Sequence, residues 1–126
     1  TFSMHGEKNY PFVKEQSYRD VGLNDGIDDA DYLAKLLETL QPVFGQVRPD
    51  FVFYQAGVDV LATDKLGKLG LTAEGCRQRD EIVFDLCRKF QAPVQVSMGG
   101  GYSEVLRHIV DAHVNTYRTA IDLYNL

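Results

Sequence analysis

The sequence has no apolar run near the roughly 20 residues of a transmembrane helix, and no basic segment leading into an apolar one, as a secretory signal would have. Basic charge is scarce and scattered: 13 Lys and Arg face 18 Asp and Glu, a net charge of −5. That balance argues against a direct nucleic-acid surface or a membrane surface of anionic lipid. Cysteine is also rare. Cys76 and Cys87 stand eleven residues apart, about three turns along one helix, too far for a disulfide and without metal-ligand spacing. They read as small core residues of a reducing, cytoplasmic compartment. Histidine is limited to His5, His108 and His113, and no Ser-His-Asp or Cys-His arrangement emerges from the spacing. His108 and His113 are not placed for one helical face, so solvated or core roles suit both. His5 closes a strand near a loop and receives no role.

What is present is a chain of 126 residues, 44% hydrophobic. A chain of that size buries roughly two thirds of its unfolded surface and needs no disulfide framework. Phe2-Ser3-Met4-His5 reads as a strand end, Gly6 to Gln16 as a polar loop around Tyr10-Pro11-Phe12, and Arg19 to Leu23 as a short strand. Asn24-Asp25-Gly26 signals a turn, after which Asp28 and Asp29 are placed to cap a helix from about Ala30 to Phe44. Its expected core stripe is Leu33, Leu36, Leu37, Leu40 and Phe44. Phe51-Val52-Phe53-Tyr54 lacks alternation, as in a strand covered on both faces.

Thr72 is placed to cap a second helix with a stripe of Cys76, Val83, Leu86, Cys87 and Phe90. Val94 to Met98 follows as a strand, and Ser103 is placed to cap a third helix to about Tyr124. That helix spreads Leu106, Ile109, Val110, His113, Tyr117, Ile121 and Tyr124 over a wide face. Strand and helix alternate, so the expected fold class is α/β, a parallel sheet flanked by helices, with its site at the carboxyl ends of the strands.

Two features sit at those ends. Asp59 follows a strand and a glycine; it is either a loop Asp facing water or a carboxylate that ligates a divalent metal or accepts a phosphoryl group. Gly99-Gly100-Gly101-Tyr102 carries three glycines, costly in entropy, which suits a wall that a ligand approaches closely. A flexible turn and a phosphate cradle remain alternatives, although the spacing matches neither the dinucleotide fingerprint nor a P-loop.

Taken together, Phe2-Ser3-Met4-His5, Tyr10-Pro11, Asp25-Gly26, Gln55-Ala56-Gly57-Val58-Asp59, Asp64, Leu66-Gly67 and Gly99-Gly100-Gly101-Tyr102-Ser103 resemble the zinc-dependent histone deacetylase family, closest to its class IV and bacterial members. The resemblance implies the arginase/deacetylase fold and hydrolysis of acetyl-lysine or a related acetylated amine. It implies Zn²⁺ as cofactor, with Asp59 as one ligand. Tyr102 then corresponds to the tyrosine that hydrogen-bonds the substrate carbonyl, Tyr10 to an aromatic lining the acyl-lysine tunnel, and Leu66 to an apolar residue at its rim. Gly100 and Gly101 correspond to glycines passing close to the acetyl group. Ser3 and Met4 correspond to a segment that contributes oxygens to a structural monovalent cation, K⁺ or Na⁺.

The family also carries a tandem His-His and an Asp-x-His pair of zinc ligands. This sequence has no His-His, and its Asp111-Ala112-His113 lies inside a predicted helix near the end of the chain. The resemblance therefore implies that residues 1–126, which begin at Thr1 rather than Met, are the C-terminal portion of a single deacetylase catalytic domain without internal boundary. Alone, that portion is expected to be inactive. The alternative is a non-enzymatic doubly wound module, receiver-like or nucleotide-binding, although Phe2 to Glu7 offers only Glu7 where a receiver places an acidic pair for Mg²⁺.

Overall fold

The computed structural model describes residues 1–126. Its elements run β1 (Phe2–Gly6), β2 (Arg19–Leu23), α1 (Asp29–Val47), β3 (Val52–Gly57), α2 (Ala73–Lys89), β4 (Val94–Gly99) and α3 (Leu106–Tyr124). All strand pairing is parallel: β1 with β2, Phe2 opposite Arg19, and β3 with β4, Val52 opposite Val94. The two pairs form separate two-stranded sheets, so the expected parallel sheet is present as two halves. The α2 helix provides the crossover that a parallel β3–β4 pair requires.

The helix starts follow local chemistry. Asp28 caps α1 by accepting a hydrogen bond from the Asp31 amide at 3.0 Å. Asp29, also expected as a capping group, reaches α2 instead. Its carboxylate accepts from the Thr72 amide at 2.9 Å and the Thr72 hydroxyl at 2.6 Å. The same Thr72 oxygen caps α2 by accepting from Gly75 N–H at 3.0 Å. One carboxylate thus ties the starts of two helices together.

The core lies between α1, α2 and the strands. On α1 the buried row is Tyr32, Leu36, Leu40 and Phe44, while Leu37 is exposed. The stripe is therefore narrower than expected, and it follows the i, i+4 row that packs into a neighbouring groove. On α2, Cys76, Val83, Leu86 and Cys87 are buried as expected, and Phe90 meets Phe44 with ring centroids 5.5 Å apart. Burial pushes the Cys87 thiol up to about 11 and also raises that of Cys76, so both stay protonated core groups.

Three expectations are corrected. Phe53 is 80% exposed, so β3 alternates rather than being covered on both faces. Helix α3 starts at Leu106 after Val105, which makes no side-chain cap; Ser103 instead forms a β-bridge with Asp64. The buried side of α3 is Ala112, Thr116 and Thr119, and Leu106, Val110, Tyr117 and Ile121 are exposed. Small residues on the packed side let α3 approach α2 closely, so the larger apolar ones are left facing outward. No helix is long and apolar enough to cross a membrane.

Candidate metal and substrate site

In a parallel pair both carboxyl ends lie on one side, which is where doubly wound folds place their ligands. Gly57, the last residue of β3, pairs with Gly99, the last of β4, and the Val58 amide donates to the Gly99 carbonyl at 2.9 Å. Asp59 and the glycine turn therefore leave the sheet side by side. The Asp59 side chain is exposed and folds back over both glycines that flank it in space. A Cβ on Gly57 would lie 2.8 Å from its Oδ1, and one on Gly100 would lie 2.7 Å from it. Gly100 and Gly101 also have φ of 65° and 104°, the left-handed region that glycine tolerates. A Cβ on Gly101 would strike Ile109 at 2.7 Å. Each glycine of the run thus meets a contact within the chain: Gly99 the Gln55 side chain, Gly100 Asp59, and Gly101 Ile109 of α3.

Asp64 ties the two loops together. Its Oδ1 accepts from the Leu66 amide at 2.9 Å and the Gly67 amide at 2.7 Å, and its Oδ2 accepts from the Tyr102 amide at 2.7 Å. The Lys65 amide in turn donates to the Tyr102 carbonyl at 3.3 Å. Asp64 belongs to the motif set without a role of its own there. An Asp that bonds its own backbone two or three residues on is a recognisable turn signal, yet the bond to Tyr102 spans the fold.

A cleft of about 370 Å³ is lined by Ser3, Met4, His5, Tyr10, Asp59 and Gly67, among others. Ser3 hydroxyl and His5 Nδ1 are hydrogen-bonded at 2.8 Å. Tyr10 is 81% exposed and meets Phe12 edge to face at 6.1 Å. Four of the expected site residues, Ser3, Met4, Tyr10 and Asp59, therefore share one cleft. Gly100 abuts Asp59. Gly101 packs against α3, and Leu66 and Tyr102 are exposed and outside that lining.

No three His, Cys, Asp or Glu side chains come together as a metal-binding group. Asp59 fits a metal ligand on its own chemistry: an exposed carboxylate at a strand end, engaged by none of the hydrogen bonds that occupy Asp64. A catalytic zinc takes three protein ligands, and Asp59 by itself falls short of that number. Asp111-Ala112-His113 does not add to it. Asp111 pairs with Arg107 on the surface of α3 at 3.3 Å, and His113 Nδ1 is buried without a partner.

Behind the site lies a buried polar network that the sequence reading missed. Arg79, 4% exposed, donates from Nε and Nη2 to Asp80 Oδ1 at 2.9 and 2.8 Å, and from Nη1 to the Gly57 carbonyl. Asp80, fully buried, also accepts from the Tyr54 hydroxyl, and from the Thr116 hydroxyl at 2.6 Å. Burial pushes the Tyr54 phenol well up, which keeps it a neutral donor. The signal was available: Arg79 and Asp80 interrupt the core-facing row that runs through Cys76, Val83 and Cys87.

The histone deacetylase domain model matches residues 1–117. An uncharacterized protein of Picosynechococcus is 43% identical over 124 residues, covering 98% of this chain and 41% of that protein. Histone deacetylase 2 of Arabidopsis thaliana is 33% identical over 122 residues, covering 94% of this chain and 32% of its own length. Among solved structures, the HD domain of HDA15 superposes with a TM-score of 0.75 at 25% identity, covering 95% of this chain and 38% of that one. The chain thus spans about two fifths or less of these relatives.

Proposed function

Because the chain belongs to the histone deacetylase family, we propose that residues 1–126 are the C-terminal portion of a zinc-dependent catalytic domain that hydrolyses acetyl-lysine or a related acetylated amine. The observation that carries this reading is the juxtaposition at the ends of β3 and β4. An open carboxylate, Asp59, lies against Gly100, and Tyr102 is tethered by its amide to Asp64 of the loop that follows Asp59. The partial coverage of the relatives supports a larger domain around these residues, as do the exposed Phe53 and the apolar row of α3.

In this reading Asp59 is one of the zinc ligands, and the remaining ligands come from sequence outside these residues. The bound ion supplies Lewis acidity toward the amide carbonyl. The Tyr102 phenol donates a hydrogen bond to the carbonyl oxygen as it gains negative charge, a neutral donor that needs no proton change of its own. Asp64 holds the Tyr102 backbone so that this donor is preorganised. Tyr10 forms an apolar wall for the acyl chain, Leu66 forms its rim, and Gly100 and Gly101 let the backbone pass close to the acetyl group. Ser3 and Met4 contribute oxygens to a structural K⁺ or Na⁺. The acidic balance of the chain suits a basic substrate such as a lysine-rich peptide or a polyamine.

Deacetylation and zinc content measured on the isolated 126-residue chain and on the full-length protein test the reading. Zinc-dependent turnover is expected from the full-length protein only, with Asp59→Ala losing the metal and Tyr102→Phe keeping the metal while losing hydrolysis. Turnover by the isolated chain refutes its inactivity, and metal retained by Asp59→Ala refutes the ligand assignment.

A further inference from the structure

We propose that Arg79 is a positioning residue for the metal ligand, acting on Asp59 through the Gly57 peptide; the inference rests on the reading of Asp59 as a zinc ligand. Gly57 ends β3, and its carbonyl is gripped by a buried guanidinium. The residue held in this way stands two before the ligand and beside it, because Asp59 Oδ1 folds back to within 2.8 Å of where a Gly57 Cβ would be. A charge-assisted bond to that carbonyl fixes the plane from which the Asp59 carboxylate is aimed.

The grip is itself braced. Two of the three bonding guanidinium nitrogens are committed to Asp80 Oδ1. Asp80 cannot swing away, because hydroxyls from β3 (Tyr54) and α3 (Thr116) hold its two oxygens. The Arg79 guanidinium also sits 5.9 Å from the Tyr54 ring centroid. The order of contact therefore runs from α3 and β3 to Asp80, to Arg79, to Gly57, to Asp59. Stability alone is a weak reason for such a cluster, since apolar replacement of a buried ion pair is often neutral or stabilising. Orienting a ligand is the stronger one, and groups behind a ligand commonly govern metal affinity.

The test uses the full-length protein, stripped of metal, with its zinc dissociation constant read by chelator competition below the unfolding temperature. Arg79→Met/Asp80→Asn removes the grip without leaving a buried unpaired charge, and it is expected to weaken zinc binding about 10- to 100-fold. Arg79→Lys, which keeps the charge but not the fork, is expected to fall between that variant and the parent. Leu40→Ala, a core truncation on α1, is the control: it lowers the unfolding temperature and leaves zinc affinity at the parent value. The proposal is overturned if the double variant binds zinc as the parent does, or loses no more affinity than Leu40→Ala. Should the double variant not fold, parent-like affinity in Arg79→Lys overturns it equally. Asp59→Ala separates the two claims. Metal retained there refutes the ligand assignment, whereas metal lost there with unaltered affinity in the Arg79 variants refutes only the role of Arg79.

Discussion

Asp64→Asn isolates the bond that ties the glycine turn to the Asp59 loop. The carboxylate accepts three backbone amides, two on Oδ1 from its own loop and one on Oδ2 from Tyr102. An asparagine has one acceptor oxygen, and keeping it toward Leu66 and Gly67 preserves two bonds against one. Its amide nitrogen then faces the Tyr102 N–H, donor against donor. A hydrogen bond to a charged group contributes about 1.5–3 kcal/mol, and Asp64 is only half-buried. The lower end, about 1.5 kcal/mol, is therefore the expected loss in stability. Asp64→Ala removes all three bonds, about 4.5 kcal/mol at about 1.5 kcal/mol for each.

The larger effect is expected in catalysis. A donor misplaced by about 1 Å costs on the order of 100-fold in rate, so kcat in the full-length protein should fall about 10- to 100-fold. Zinc content should not change, because Asp59 is untouched. Urea unfolding, zinc analysis and steady-state kinetics on parent, Asp64→Asn and Asp64→Ala provide the readouts. An Asp64→Asn protein with parent-like kcat refutes the claim that Asp64 positions Tyr102. A parent-like unfolding midpoint in Asp64→Ala refutes the clamp itself.

Gly100→Ala combines a φ of 65° with a Cβ 2.7 Å from Asp59 Oδ1. It should lose about 1–2 kcal/mol from backbone strain and bind zinc more weakly by chelator competition; parent-like affinity contradicts the close approach. Phe84, with 0% exposure, packs edge to face on Tyr54 and Tyr124, so Phe84→Ala should cost about 3–5 kcal/mol in urea unfolding. Burial holds the His113 imidazole below its ordinary value. The unfolded chain therefore takes up a proton first, and this group removes stability as pH falls through about 6.5. Unfolding free energies at about pH 7.5 and about pH 5.5 should differ less in His113→Gln than in the parent; an equal difference would show that another group carries the acid sensitivity.

Much of the local structure was legible. The turn at Asn24-Asp25-Gly26, the Asp28 and Thr72 caps, and the strands Arg19–Leu23 and Val94–Gly99 all follow from short-range chemistry of neighbouring residues. Legibility ended where a residue's role depends on a partner far along the chain. Asp29 looked like a second cap and binds Thr72; Ser103 looked like a cap and bridges to Asp64. The face of α3 was misassigned because its packed side is made of small residues, Ala112, Thr116 and Thr119. Hydrophobic periodicity follows the large apolar ones, which in this structure face outward.

The order of the motifs, by itself, determined which family the chain resembles and which residues stand as candidates, since residue types and spacings are written along one dimension. Only the tertiary structure decided how they meet. It set Gly100 against the Asp59 carboxylate, joined Tyr102 to Asp64 across the fold, and placed the Arg79–Asp80 pair behind Gly57. The physical reason is reach: a cap or turn is closed by bonds within a few residues. Aiming a carboxylate instead requires strands, helices and buried charges that are distant in sequence to pack at ångström separations, which no local pattern encodes.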